Sequence, residues 1–290
     1  MTALDTFAAS LRARDAELRS TSHLHARVAE SRRFGGRGSG RRGGGGAPGY
    51  NPLGSSKLIE TWLSYAGTTD DGAGLISNWT GQKAGKAFTA ATTKRPTLTA
   101  AQFGAVSGLV FDGSSDSMSC ATVGALISGQ TGVTVIIVGF APGDLASRAL
   151  LEYSASWFAT AGVFVLDKVS TYTLYAACRG NVGNSVYTCS NNTVPMTFAG
   201  VMSATFDFTL AAAETSPRLD NVLVAGSMTT ESNNTSTMGN HPLYLGSRAG
   251  TSLFAPLTVG AVAIYQTLTD AELTIEARGL GAIFGGIVVA

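Results

Sequence analysis

The stretch VTVIIVGF, Val133–Phe140, is apolar almost throughout. Side chains alternate between the two faces of a strand, so a strand of this composition has to be central and covered on both sides. From residue 57 onward related runs recur, short, alternating or wholly apolar, separated by Gly, Ser, Asn and Asp. They predict strands at Leu58–Tyr65, Leu109–Phe111, Val133–Phe140, Ala149–Tyr153, Val163–Leu166 and Tyr172–Cys178. Further strands are predicted at Ser185–Thr188, Thr197–Phe206, Asn221–Ala225, Leu243–Leu245 and Val259–Tyr265. VFVLDK and TYTLYAAC alternate more than the central run, as strands with one wet face do. One helix follows: Thr269 caps it, Glu272 completes a capping box, and Leu273, Ala277 and Leu280 stand at helical spacing. Val259, Ala261, Ala263 and Tyr265 are expected on one face of the strand before it. The pattern is all-β, a β-sandwich or jelly roll forming one domain over residues 57–290.

The first 56 residues have a different character. Residues 2–33 read as a helix, with Leu4, Leu11 and Leu18 seven apart and Thr2 and Asp5 resembling a capping box. Arg14, Asp15 and Ser22 interrupt the seam, so a solvated single helix and a trimeric or other self-pairing through the leucines both remain open. Residues 1–33 are thus a helical anchor and 34–56 a Gly/Arg-rich arm. The arm has nine glycines between residues 35 and 49, and too few side chains to build a core of its own. Residues 1–46 carry nine arginines against four acids, whereas the remainder has 11 basic and 15 acidic residues. That asymmetry suggests different partners for the two ends. Arg32, Arg33, Arg37, Arg41 and Arg42, with Leu4, Leu11 and Leu18, are the candidate anchor residues. Guanidinium forks suit an acidic protein surface, and residues 35–48 reach ~46 Å when extended. An RGG-type RNA contact needs stacking aromatics, and within the arm Phe34 is alone before Tyr50, so protein docking is favoured over nucleic acid.

Only 13% of residues are charged, against about 25% in a typical domain, so Ser, Thr, Asn and Gly must cover much of the surface. Three cysteines, Cys120, Cys178 and Cys189, do not make a disulfide framework. Cys178 and Cys189 either face each other across a hairpin or stay unpaired. The N-terminus lacks a signal peptide's basic start and apolar run, and no apolar stretch reaches the ~20 residues that span a bilayer. A cytoplasmic origin and no membrane partner are expected.

Several stretches stand in a familiar order: GAGLISNWTGQ, FTAATTKRPTLT, GLVFDGSSDSMSC, VTVIIVGFAP, HPLYLGSRAG and TVGAVAIYQTLTDAELTIEARGLGAIFG. Together, over roughly residues 57–286, they resemble the concanavalin A-like, laminin-G-like jelly roll of many bacteriophage and bacterial surface proteins. The resemblance implies glycan contact through variable loops, and in some members calcium at the rim of the sandwich. Asp70 and Asp71 in TTDDGAG, and Asp112 and Asp116 in FDGSSD, supply oxygens of the type calcium takes; the competing reading is turn formation. FDGSSD is expected to reverse Leu109–Phe111 into Met118–Cys120, Trp79 to sit in the core, and Arg95-Pro96 to hold an extended segment.

The family includes glycan hydrolases, whose chemistry needs two carboxylates about 5–9.5 Å apart. No strand between residues 57 and 286 carries such a pair at i, i+2 or i, i+4, and Glu152, Glu214, Glu231, Glu272 and Glu276 are scattered. His241 is the sole histidine beyond the N-terminal segment and reads as a strand-start surface residue, so no Ser-His-Asp triad is foreseen. The expectation is a non-enzymatic phage structural protein of the virion, a capsid decoration or head fibre, anchored by its arm to capsid or other virion proteins. It would be a homo-oligomer and display its jelly roll toward surface glycans. A tail fibre or tail-tip adhesin, or a free carbohydrate-binding lectin module, is the alternative. The apolar tail GAIFGGIVVA is expected to bury against neighbouring subunits.

Overall fold

The computed structural model describes residues 50–142, 147–157, 159–170, 173–190, 199–211, 213–220, 222–223, 226–285 and 287. The chain divides between residues 43 and 44 into two units, and the second is described below. The expected N-terminal helix and arm, with Leu4, Leu11, Leu18, Arg32, Arg33, Arg37, Arg41 and Arg42, lie outside the described residues.

The strands are β1 (Leu58–Leu63), β2 (Thr68–Asp70), β3 (Ile76–Thr80), β4 (Ala87–Thr89), β5 (Thr97–Phe103) and β6 (Val106–Asp112). They continue as β7 (Met118–Cys120), β8 (Gly132–Phe140), β9 (Arg148–Tyr153), β10 (Val163–Ser170), β11 (Thr173–Arg179) and β12 (Asn184–Ser190). The last six are β13 (Gly200–Asp207), β14 (Thr215–Leu219), β15 (Val222–Leu223), β16 (Gly226–Thr230), β17 (Leu243–Leu245) and β18 (Pro256–Gln266). A one-turn helix, α1 (Gly124–Ile127), precedes β8, and α2 (Asp270–Ile283) follows β18.

Two antiparallel sheets result. The eight-stranded sheet runs β15-β14-β13-β8-β18-β6-β5, with β1 pairing the second half of β18. The ten-stranded sheet runs β16-β12-β11-β10-β9-β17-β7-β4-β3-β2. The protein is an all-β sandwich, as the strand pattern predicts. Its main core lies between the sheets and includes Trp62, Trp79, Phe88, Tyr153, Phe164 and Phe206. Phe88 sits 4.6 Å from Trp62 and 6.1 Å from Trp79 between ring centres. Tyr153, Phe164 and Phe206 stack in series at 5.1 and 4.7 Å. Trp79 is fully buried, as expected, and its indole N–H donates to the Leu63 carbonyl at 2.9 Å.

The central run is covered on both faces because α2 supplies a third layer. Val135 and Ile137 of β8 enter the main core, while Ile136 and Val138 join Leu273, Ala277 and Leu280 of α2 on the other side. The capping box of α2 forms as foreseen: the Glu272 N–H donates to the Thr269 hydroxyl at 3.3 Å, and the Thr269 N–H to the Glu272 carboxylate at 2.8 Å. Lys57 closes on the same carboxylate at 2.7 Å, and Tyr50 donates to Glu276 at 2.8 Å. The Lys57 ammonium, followed by the Thr269 donors, holds the Glu272 carboxyl down at about 2.

β18 corrects one expectation. Ala261, Ala263 and Tyr265 face α2, but Val259 faces the main core with Leu257, Val262 and Ile264. A bulge between Val259 and Ala261 inserts Gly260 and switches the face. A Cβ at Gly260 would lie 2.5 Å from the Phe284 ring, which is why the extra residue has no side chain.

The FDGSSD turn also differs from its expected role. β6 belongs to the eight-stranded sheet and β7 to the other, so the turn carries the chain between sheets instead of reversing it within one. Gly113 supplies the required positive φ of 73°. Arg95 is extended, as its position before Pro96 demands. Cys120 and Cys178 are buried free thiols; Cys178 pairs with Ser185 and Cys189 with Leu174, so the β11–β12 hairpin does not set the two cysteines opposite each other. Of the apolar tail, Phe284 is buried in the α2 layer and Ile287 packs against it.

Glu60 of β1 is wholly buried, yet its carboxylate is fully used. It accepts N–H bonds from Thr61, Lys83, Ala84 and Lys86 at 2.8–3.0 Å, fastening the 81–86 loop to the sheet.

Candidate functional site

Alternation decides which side chains leave the core of the ten-stranded sheet. Leu151 and Tyr153 of β9, Phe164 and Leu166 of β10, Leu174 and Ala176 of β11, and Leu243 and Leu245 of β17 point inward. Glu152, Val165, Asp167, Tyr175, Ala177 and Tyr244 therefore share the outer face. Register sets Tyr244 opposite Glu152, Glu152 opposite Val165, Val165 opposite Ala177, and Asp167 opposite Tyr175. The face expected to be wet is partly dry: Trp157 folds over Val163, Val165 and Ala177 in a small apolar cluster.

Beside that cluster lies a hollow of about 360 Å³ lined by Trp157, Asp167, Tyr175, Asn184, Arg248 and Leu253 among others. Arg248 reaches it from the turn after β17, which is held by the Arg248 N–H to the Ser252 carbonyl (2.8 Å) and the Ala255 N–H to the Gly246 carbonyl (2.8 Å). Its guanidinium bridges two carboxylates, Nη2 to Asp167 Oδ2 at 2.9 Å and Nε to Glu152 Oε2 at 3.3 Å. Asp167 is 4% exposed and Glu152 not at all. Burial pushes the Asp167 carboxyl up to about 7; Arg248 draws it down and the Glu152 charge adds to the rise. Burial likewise raises Glu152, against its bonds to Ser154 and Arg248. Asp167 Oδ1 and Asn184 Oδ1 are buried acceptors without a hydrogen-bond donor, and Glu152 Oε2 has the Arg248 ion pair alone. A second, smaller hollow of about 200 Å³, lined by Lys94, Ser119, Tyr244 and Gly250 among others, adjoins the same turn.

This constellation was not foreseen. Glu152, Asp167 and Arg248 belong to three separate segments, so no spacing rule along one strand finds them. What the sequence does carry is the alternation of LLEY and VFVLD, which marks each acid as outward-pointing. A second acid pair, Glu214 and Glu231, meets over the Ser185 hydroxyl at 2.5 and 3.1 Å. Asn234 Nδ2 (2.8 Å) and the Ala213 N–H (2.7 Å) serve the same two carboxylates, making this pair an internal clamp.

The candidate calcium residues are engaged in their own loops. Asp112 Oδ1 accepts the N–H groups of Ser114, Ser115 and Asp116, each at 2.9 Å, and Oδ2 takes the Ser114 and Ser115 hydroxyls. Burial alone would raise the Asp112 carboxyl, but these donors outweigh it and hold it well below the usual range. Asp116 is pushed up to about 6 by burial, with the Asp112 charge adding to it. Asp70 accepts from Gly72 and Gly74 at 2.6 and 2.9 Å; Asp71 accepts from Ala73 at 3.0 Å and pairs with Arg95 at 3.1 Å. The Ala73 N–H leads in holding the Asp71 carboxyl down. Among the described residues no three His, Cys, Asp or Glu side chains are arranged to hold a metal ion. His241 is half-buried, within 2.9 Å of the Ala161 carbonyl and edge-on to Tyr153. No described helix is long and apolar enough to cross a membrane.

No family model and no curated protein matches this chain. Solved structures of similar fold exist at low identity. One is a Trypanosoma rangeli sialidase in complex with sialic acid, 15% identical, TM-score 0.52, covering 79% of this chain and 33% of that one. Another is the botulinum neurotoxin serotype C1 binding domain, 10% identical, TM-score 0.54, covering 79% of this chain and 53% of that one. A Ruminococcus gnavus IT-sialidase CBM40 bound to α2,3-sialyllactose aligns with 53% of this chain at 15% identity and TM-score 0.41. This chain thus spans about a third of the sialidase and about half of the toxin domain, and what it shares with them is the all-β, lectin-like sandwich fold.

Proposed function

We propose that this chain is a non-enzymatic glycan-binding module whose ligand lies in the hollow at Arg248. The observation that carries the reading is the hollow itself, an aromatic-lined recess on a sheet face that keeps buried polar atoms without partners. Binding sites have this make-up, largely apolar walls with a few placed polar groups, and buried acceptors left unpaired are costly unless something supplies donors. The fold likeness to a sialidase and a toxin binding domain is in keeping with it. Binding is favoured over cleavage because one guanidinium engages both carboxylates, where hydrolysis needs them free on either side of a scissile bond. Titrating the intact protein against glycans tests this: Arg248→Met should lose binding while its circular dichroism stays native-like. Unchanged binding would overturn the site.

The wider setting we propose is a bacteriophage particle, with the Gly/Arg-rich N-terminal segment docking on capsid or other virion proteins. Its composition and the order of the laminin-G-like motifs support this. A capsid decoration or head fibre comes first, a tail fibre second, and a free lectin is the competing arrangement. Deleting residues 1–49 should abolish particle association and spare glycan binding. Truncated protein that still co-purifies with particles would defeat the anchor.

A further inference from the structure

Resting on that reading, we infer that the ligand is a neutral oligosaccharide whose hydroxyls meet Asp167 and Asn184 at separate points along it, and that the site discriminates against acidic glycans. The polar inventory of the hollow is lopsided. Its unpartnered acceptors are Asp167 Oδ1 and Asn184 Oδ1, while Glu152 Oε2 nearby has only the Arg248 ion pair. Asp167 is 4% exposed and lines the recess, and its Oδ1 has no hydrogen-bond partner within the protein. Sugar hydroxyls are donors, and an oligosaccharide lying across β11 offers them to both acceptors, Asp167 on β10 and Asn184 on β12.

An acidic sugar brings more acceptors and a negative charge. Arg248 is the cation lining this hollow, and it is already committed to Asp167 at 2.9 Å and Glu152 at 3.3 Å. An incoming carboxylate would compete with both for one guanidinium and would add acceptors where acceptors already lack donors. An amine fares less well than a hydroxyl for a different reason. Burial keeps the Asp167 carboxyl partly protonated near neutral pH, and Arg248 offsets Glu152, so little net negative charge awaits a cation. A half-protonated carboxyl both accepts and donates, as a neutral polyol does. Trp157 and Tyr175 supply the apolar wall that the C–H face of a sugar needs.

The test is calorimetric titration of the full chain with neutral oligosaccharides of glucose, galactose, mannose and N-acetylglucosamine, with sialyllactose, and with glucosamine oligomers. At least one neutral oligosaccharide should bind, and sialyllactose should bind about a hundredfold more weakly. Asn184→Ala, a change at a partly exposed strand end that should not endanger folding, should weaken neutral-sugar binding about tenfold. Preference for sialyllactose or for glucosamine oligomers, or indifference to Asn184→Ala, would overturn this inference and leave glycan binding in place. Failure to bind any of these sugars would overturn both.

Discussion

Replacing Asp167 by asparagine should change how stability depends on pH in a direction fixed by burial. In the unfolded chain this carboxyl releases its proton at about 3.8, and in the folded protein at about 7. Between those values the native state holds a proton that the unfolded chain has lost. The contribution is fully present below about pH 4 and disappears as pH rises through about 7, so stability falls across that window. The separation corresponds to about 4 kcal/mol, and coupling to Glu152 and Arg248 brings the expected effect to about 2–4 kcal/mol. Asparagine keeps the shape and cannot ionise. Urea unfolding followed by tryptophan fluorescence suits the assay, because Trp62, Trp79 and Trp157 are all buried. The stability of Asp167→Asn relative to wild type should climb by that amount between about pH 4 and about pH 8. Two curves that run parallel would refute the assignment of a buried, proton-retaining carboxyl at this position.

Arg248→Met leaves Glu152 and Asp167 buried together without their cation, and should cost about 3–5 kcal/mol near pH 8 and clearly less near pH 5, where the acids take up protons; urea midpoints at the two pH values decide it. Glu60→Ala strands the N–H donors of Lys83, Ala84 and Lys86 and should cost about 3 kcal/mol, with amide exchange in the 81–86 loop accelerated; an unchanged denaturation midpoint would contradict the clamp. Gly260→Val drives a side chain into Phe284 and should lower stability by about 1–3 kcal/mol, read from thermal unfolding. Chelator should leave the melting temperature unchanged, since Asp112 and Asp71 are already satisfied by their loops; a rise on adding calcium would reinstate the rim site.

The strands that carry the core were legible because each buries apolar residues at a regular period. β8 is the plainest case, and its two-sided burial follows from composition once α2 is recognised by its cap. β2, β3 and β4 were missed because they are short and polar, and β14 because Pro217 interrupts it. The face of Val259 was misassigned because a bulge breaks the period of two, and nothing in GAVAIY marks where it falls. The site was half legible. Alternation turns Glu152 and Asp167 outward, but bringing them to Arg248 depends on the pairing of β9 with β10 and β17, and on a register shift between Leu166 and Asp167. Those are properties of strand neighbours far apart in the chain, which a local pattern does not contain.

The attachments of Tyr50 and Lys57 to α2 give the module a back and a front. Tyr50 and Lys57 lie on the helix-covered side, whereas the hollow opens beyond the other sheet, with two β layers about 10 Å apart in between. A partner held against α2 would leave the recess on the opposite face unshaded. On the glycan-binding reading proposed above, copies held side by side through the α2 face would all present the recess outward, and adhesion to a repetitive sugar coat would then draw its strength from number and orientation more than from the grip of any single recess.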